Sequence, residues 1–277
     1  MDIGVFMFVT DYSTRIDDLA MAVEARGFES LFIPEHTHIP ANRNSPWPGG
    51  GDLPKEYWHT LDPFPALAAA AAVTKRIRLG TGICLLTERD PILTAKEAAT
   101  VDLISDGRFE LAIGAGWNAE EMEHHGTDFK QRFKVMSERA RAIKKIWTED
   151  EPSFQGEFVN FGPIWSYPKP VQKPHVPILV GGETKHTMRR VAEYGSGWFP
   201  RARSFDPKVG LREMREIAAE AGRDMSTISV TLFGGKADRA ALDEYEEAGV
   251  TRVLLGLPPE SRETVFPLLD KYARLLK

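Results

Sequence analysis

Short apolar runs of β type alternate with helix-length amphipathic segments eight times along this chain, which leaves few ways for it to fold. The strand-like runs fall near 3–8, 30–34, 77–83, 109–115, 177–181, 196–200, 228–233 and 250–256. Helical spacing follows each of them, near 15–26, 61–74, 91–105, 130–148, 184–194, 207–221, 238–247 and 260–276, with a short extra turn near 119–124. Strands separated by helices pair in parallel through right-handed crossovers. Eight such units in 277 residues predict a (β/α)8 TIM barrel in one domain, residues 1–277. A doubly wound open sheet competes, but the glycines near the N-terminus lack the Gly-x-Gly-x-x-Gly turn that such sheets use for a dinucleotide.

Two connections are too long to be plain links. Residues 37–59, with Pro46, Pro48, Gly49, Gly50, Gly51 and Pro54, read as non-helical. They follow the second strand, so in a barrel they form a lid over the face where strands end. Residues 150–176 carry a hairpin-like Phe154 to Val159 and prolines at 163, 168, 170 and 174. Because they leave a helix and enter the fifth strand, they start on the opposite face and read as structural.

Composition narrows the function class. A net charge of −5 argues against a general nucleic-acid surface. The one cysteine, Cys84, excludes an intrachain disulfide framework and fits a reducing compartment. The N-terminus reads as a first strand rather than a signal peptide, and no apolar run reaches the roughly 18 residues of a membrane span. These features predict a cytoplasmic protein that acts on a small molecule.

Small or polar residues end four of the strand runs: Pro34-Glu35-His36, Gly80-Thr81-Gly82-Ile83, Gly114-Ala115-Gly116-Trp117-Asn118 and Val180-Gly181-Gly182-Glu183-Thr184. Parallel strands bring all four ends to one face, where barrel enzymes keep their chemistry. Glu35 and His36 are candidate catalytic residues, since a histidine exchanges protons near neutral pH; the plainer reading is a hydrogen-bonded structural histidine. The glycines around Thr81 are either a relaxed strand end or a bulge where bare backbone meets a flat ring. Gly181 and Gly182 open a helix whose first N–H groups suit a phosphate. Lys185, Arg189 and Arg190 on that helix read as a solvated face. Phe8, Trp47 and Trp198 are expected to wall a substrate pocket, although such aromatics often only cover core. His36 and His38 with Glu35, or Glu123 with His124 and His125, would give an incomplete metal set, and neighbouring histidines on a helix are expected to diverge. No metal is predicted.

The ordered series of motifs resembles the luciferase-like monooxygenase family of flavin- and deazaflavin-dependent oxidoreductases, over nearly the whole chain. It comprises Arg89-Asp90-Pro91, Ser105-Asp106-Gly107-Arg108, Gly114-Ala115-Gly116-Trp117-Asn118 with Glu120-Glu121, Gly126-x-Asp128-Phe129 with Arg132, Pro168-Lys169-Pro170-x-Gln172-x-Pro174 and Ile178-x-Val180-Gly181-Gly182. The resemblance implies an eight-stranded barrel, a homodimer, and a non-proline cis peptide at Gly82-Ile83 behind the redox ring. It places Thr81, Gly82 and Ile83 against the ring, Glu35 and His36 beside it, Gly116, Trp117 and Asn118 at its other edge, and Gly181, Gly182, Glu183 and Thr184 around its phosphate. The branch resembled most uses coenzyme F420; FMN-using relatives share most motifs.

The resemblance thus implies hydride transfer between F420 and a small organic substrate, with His36 moving the proton and Glu35 orienting His36. FMN-dependent monooxygenation, a non-catalytic barrel that binds such a cofactor, and metal-dependent hydrolysis are the alternatives, in that order.

Overall fold

The computed structural model describes residues 1–276. Its elements run β1 (Asp2–Phe6), α1 (Ile16–Ala25), β2 (Ser30–Ile33), α2 (Pro63–Val73), β3 (Arg78–Leu85), α3 (Pro91–Ile104), β4 (Phe109–Gly114), α4 (Ala119–His124) and α5 (Arg132–Thr148). A small antiparallel pair follows, β5 (Phe154–Gln155) and β6 (Asn160–Phe161). Then come β7 (Ile178–Gly181), α6 (Lys185–Tyr194), β8 (Gly197–Phe199), α7 (Pro207–Glu220), β9 (Ser229–Phe233), α8 (Arg239–Ala248), β10 (Arg252–Gly256) and α9 (Arg262–Ala273). Eight parallel strands close in the order β1-β10-β9-β8-β7-β4-β3-β2, the (β/α)8 barrel that the alternation requires. The closing pair is in register over its whole length, from Asp2 opposite Arg252 to Phe6 opposite Gly256.

Helix starts follow from local chemistry. Asp62 and Asp90 each precede a proline at the first helical position, and their carboxylates accept from the N–H groups of Phe64 and Leu93. Such caps satisfy donors that the helix itself leaves free. Gly107, at φ 77°, ends α3 in the left-handed conformation expected there.

Strand alternation sorts the core into two layers. Outward side chains such as Val5, Leu31, Leu111, Val180 and Val253 pack under the helices. Inward ones make a separate cluster of Phe6, Phe32, Ile83, Ala112, Leu179, Phe199, Phe233 and Leu254, one from each strand. Room for Phe32 comes from Gly80, where a Cβ would lie 2.2 Å from the Phe32 ring. Beneath this layer Arg252 is buried and donates to the carboxylates of Glu110 and Glu29 at 2.7–2.9 Å. Burying that cation is tolerable because its fork is filled by carboxylates.

Residues 150–176 are anchored away from the strand ends. The buried Asp102 carboxylate accepts from the backbone N–H groups of Val171 and Gln172, and the Gln172 amide also donates to the Phe109 carbonyl at 2.6 Å. Arg108 ties the end of α3 to α2 through the carbonyls of Ala71, Thr74 and Ile77. Residues 37–59 cross the other face, and their only helical stretch is a single 3-10 turn, Lys55–Trp58. No helix among the described residues is long and apolar enough to cross a membrane.

Candidate active site

The end of β2 delivers two buried side chains with different partners. Glu35 turns toward β3, where it accepts from the Leu85 N–H at 2.6 Å and from Arg89 Nε at 2.5 Å. Arg89 also meets Glu97 and Asp62, so Glu35 latches β2 to β3 and α3. This corrects the expectation that Glu35 orients His36. The orienting group is Glu121 on α4, whose Oε2 lies 2.7 Å from His36 Nδ1 while its Oε1 accepts from the Thr37 N–H at 3.1 Å. A carboxylate on Nδ1 fixes the ring and leaves Nε2 for a ligand.

An aromatic wall surrounds the imidazole. The Tyr57 ring centroid is 5.2 Å away and that of Trp117 is 5.8 Å away. Tyr57 in turn touches Phe8 at 4.8 Å and Trp47 at 5.9 Å, so Phe8 and Trp47 are joined to His36 through the Tyr57 ring. Trp198 does not. It is fully buried in the outer core layer, packs edge-on against Phe205, and donates from Nε1 to the Gly182 carbonyl at 2.7 Å. In a strand only one of two neighbours can face inward, and here it is Phe199.

Residues 37–59 are held over this face by α4. Glu120 accepts from the N–H groups of Asn44 and Ser45, and the Ser45 hydroxyl accepts from the Ala119 N–H at 3.0 Å. The Ser45 hydroxyl, and after it these N–H groups, hold the Glu120 carboxyl at a pKa of about 2 against the opposing effect of burial. From the far side Arg203 donates to the Pro48 carbonyl.

The third strand breaks its register between Thr81 and Cys84, and the Gly82–Ile83 peptide within that bulge is cis. Thr81 pins the bulge through its hydroxyl, which donates to the Ala112 carbonyl at 2.7 Å. Ile83 then spreads over Gly114, where a Cβ would sit 1.9 Å from Ile83 Cδ1, and reaches the space above Gly181. Gly116 follows at φ 76°, a conformation that favours glycine. Glycine backbone from β3, β4 and β7 thus converges at these strand ends, with the Ile83 side chain lying over Gly114 and Gly181. Asn118 caps α4 by accepting from the Glu121 N–H, and its buried Nδ2 has no protein acceptor among the described residues. That free donor points to a ligand acceptor.

Gly182 enters α6 at φ 119°, and Thr184 caps the helix by accepting from the Thr187 N–H. Glu183 holds Arg201 at 2.8 Å, which brings a cation beside the loop. Arg201 was not visible as a site residue in the sequence because its partner is 18 residues away. Lys185 pairs with Glu213, and Arg190 covers the Phe133 ring.

The neighbouring histidines of α4 do not diverge as expected. His124 Nδ1 lies 2.8 Å from His38 Nε2, and His125 Nε2 lies 2.8 Å from the Thr37 hydroxyl. Burial, and next the adjacent His38, lower the proton affinity of His125. Among the described residues no three His, Cys, Asp or Glu side chains are arranged to hold a metal ion.

Residues 1–256 match the luciferase-like monooxygenase family. The chain belongs to that family. Within it, the uncharacterized protein Rv0953c of Mycobacterium tuberculosis is 38% identical over 280 residues, covering 100% of this chain and 99% of the relative. Two solved luciferase-like barrels show the same fold. Monooxygenase RslO1 from Streptomyces bottropensis has a TM-score of 0.82 at 21% identity, covering 100% of this chain and 98% of that one. An F420-dependent secondary alcohol dehydrogenase, solved with an F420–acetone adduct, has a TM-score of 0.77 at 19% identity, with coverage of 99% and 98%. Family membership makes the chain a luciferase-like oxidoreductase, a class suited to a flavin-type cofactor.

Proposed function

We propose that this protein transfers hydride between coenzyme F420 and a small organic substrate, with His36 giving or taking the accompanying proton. The observation that carries this reading is His36 itself: Nδ1 is bound to Glu121, no side chain or backbone group of the described residues engages Nε2, and the ring stands between Tyr57 and Trp117. When bound, the deazaflavin supplies hydride donor and acceptor chemistry. Thr81, Gly82 and Ile83 would support one face of its ring, with Gly116, Trp117 and Asn118 at an edge. Gly181, Gly182, Glu183 and Thr184 would receive its phosphate at the opening of α6. Trp117, Tyr57, Phe8 and Trp47 would shield the reacting carbons from water. Similarity in fold to an F420-dependent alcohol dehydrogenase supports the choice of cofactor and an alcohol or carbonyl substrate.

FMN-dependent monooxygenation is the second reading, supported by the similarity in fold to RslO1. Calorimetric titration of the purified protein with F420 and with FMN separates the two. F420 is expected to bind more tightly; submicromolar FMN binding without detectable F420 binding would overturn the proposal. A third reading, a barrel that binds cofactor without catalysis, requires cofactor binding without turnover.

The phosphate assignment has its own test. A Cβ at Gly182 would sit 2.8 Å from Thr187 Oγ1 on a backbone at φ 119°. Gly182→Val is therefore expected to displace the loop and weaken cofactor binding by about tenfold or more, the equivalent of about 1.4 kcal/mol. Circular dichroism should show the fold retained. Unchanged affinity in a folded Gly182→Val protein would remove the phosphate from this loop.

A further inference from the structure

Glu88, in the turn that follows β3, is a buried carboxyl with no assigned task. Neither of its oxygens is reached by solvent or by any N–H or O–H of the described residues. The group within hydrogen-bonding reach is another acceptor, the carboxylate of Glu121. Two carboxylates in that relation cannot both be ionised, so a proton has to lie between them.

The surrounding charges demand the same proton. The negative charges of Glu121 and Glu35 both act on Glu88, and the cation that opposes them, Arg89, is spent on Glu35, Glu97 and Asp62. Glu121 is fully buried and already engages His36 Nδ1 and the Thr37 N–H. Above Gly116, Glu88 Oε1 shares its surroundings with the apolar ends of Met122 and Leu85.

We propose that Glu88 holds a proton in common with Glu121 and thereby sets the proton affinity of His36. Glu88 touches neither His36 nor a reacting atom, so it is a positioning residue that acts through Glu121. A bare Glu121 anion at 2.7 Å would hold the imidazolium tightly and make His36 a poor proton donor. Once Glu121 also accepts the Glu88 proton, part of its charge is spent there and His36 can both give and take a proton. The consequence for turnover rests on the role assigned to His36 under Proposed function; the test does not use turnover.

The test is a pH titration of the His36 ring by nitrogen NMR in the cofactor-free protein. Its resonance is identified by its loss in His36→Asn. Glu88→Gln keeps a neutral donor toward Glu121 and is expected to leave the His36 midpoint unchanged. Glu88→Ala removes that donor and is expected to raise the midpoint by about one pH unit. A midpoint that falls in Glu88→Gln would show that Glu88 is an anion in the native protein, and an unmoved midpoint in Glu88→Ala would show that it does not reach His36; either result overturns the proposal. Infrared difference spectra of wild type and Glu88→Gln decide the matter should the alanine variant fail to fold. At pH 7 the wild type should show the carbonyl stretch of a neutral carboxylic acid that the glutamine variant lacks, and its absence overturns the shared proton. If these results hold while His36→Asn turns over normally, the shared proton stands and the proposed function falls.

Discussion

His36→Asn is expected to lower turnover at least about tenfold, since positioned acid–base groups typically contribute about 10²–10⁴-fold, while cofactor affinity stays nearly unchanged. Asparagine is a conservative probe here. Its amide can donate to Glu121 in place of Nδ1–H, so α4 keeps its partner, but nothing replaces Nε2. Steady-state kinetics and calorimetry on the same preparation decide the outcome. Normal turnover would make His36 a pocket wall, and collapse of cofactor binding with turnover would make it a binding group. Should chemistry be faster than product release, single-turnover rates are the measurement to compare.

The second large effect concerns stability. Burial, and then the negative charges of Glu121 and Glu35, push the Glu88 carboxyl up to about 9 from its ordinary 4.5. Between those values the folded protein holds a proton that the unfolded chain releases, so wild-type stability falls as pH rises. The slope for one such proton is about 1.4 kcal/mol per pH unit. Glutamine at this position has no proton to lose. Glu88→Gln should therefore be similar to wild type near pH 5 and more stable by about 4 kcal/mol near pH 8, as an order of magnitude, because all other titrating groups are common to both proteins. Urea unfolding of the pair at both pH values measures the difference. A gap that stays constant with pH would mean that Glu88 is ionised in the native protein.

Much of the barrel could be read along the chain because its period is local. Each strand run is a few apolar residues, every helix but α1 and α5 opens on an Asp, Ser, Thr or Asn, and the observed strands lie within about two residues of the expected ones. Gly82, Gly116 and Gly182 stood out for the same reason, since an unusual backbone leaves a glycine in the sequence. What could not be read was pairing across the fold. His36 and Glu121 are 85 residues apart, and α4 looked like a minor extra turn. Glu35 sits one residue from His36, yet successive side chains leave the strand end in different directions, so adjacency suggested a partnership that the structure denies. Trp198 failed for a matter of parity, because which of Trp198 and Phe199 faces inward depends on a register that no local pattern reveals. Arg252, Glu110 and Glu29 gave no signal at all, being three ordinary charged residues until the barrel closes around them.

The filled interior has a meaning for access. One side chain from every strand plugs the barrel, and Arg252 with its carboxylates stoppers the end below. The route through the barrel interior to His36 is therefore closed, and a ligand of this residue comes and goes on the face that residues 37–59 cross.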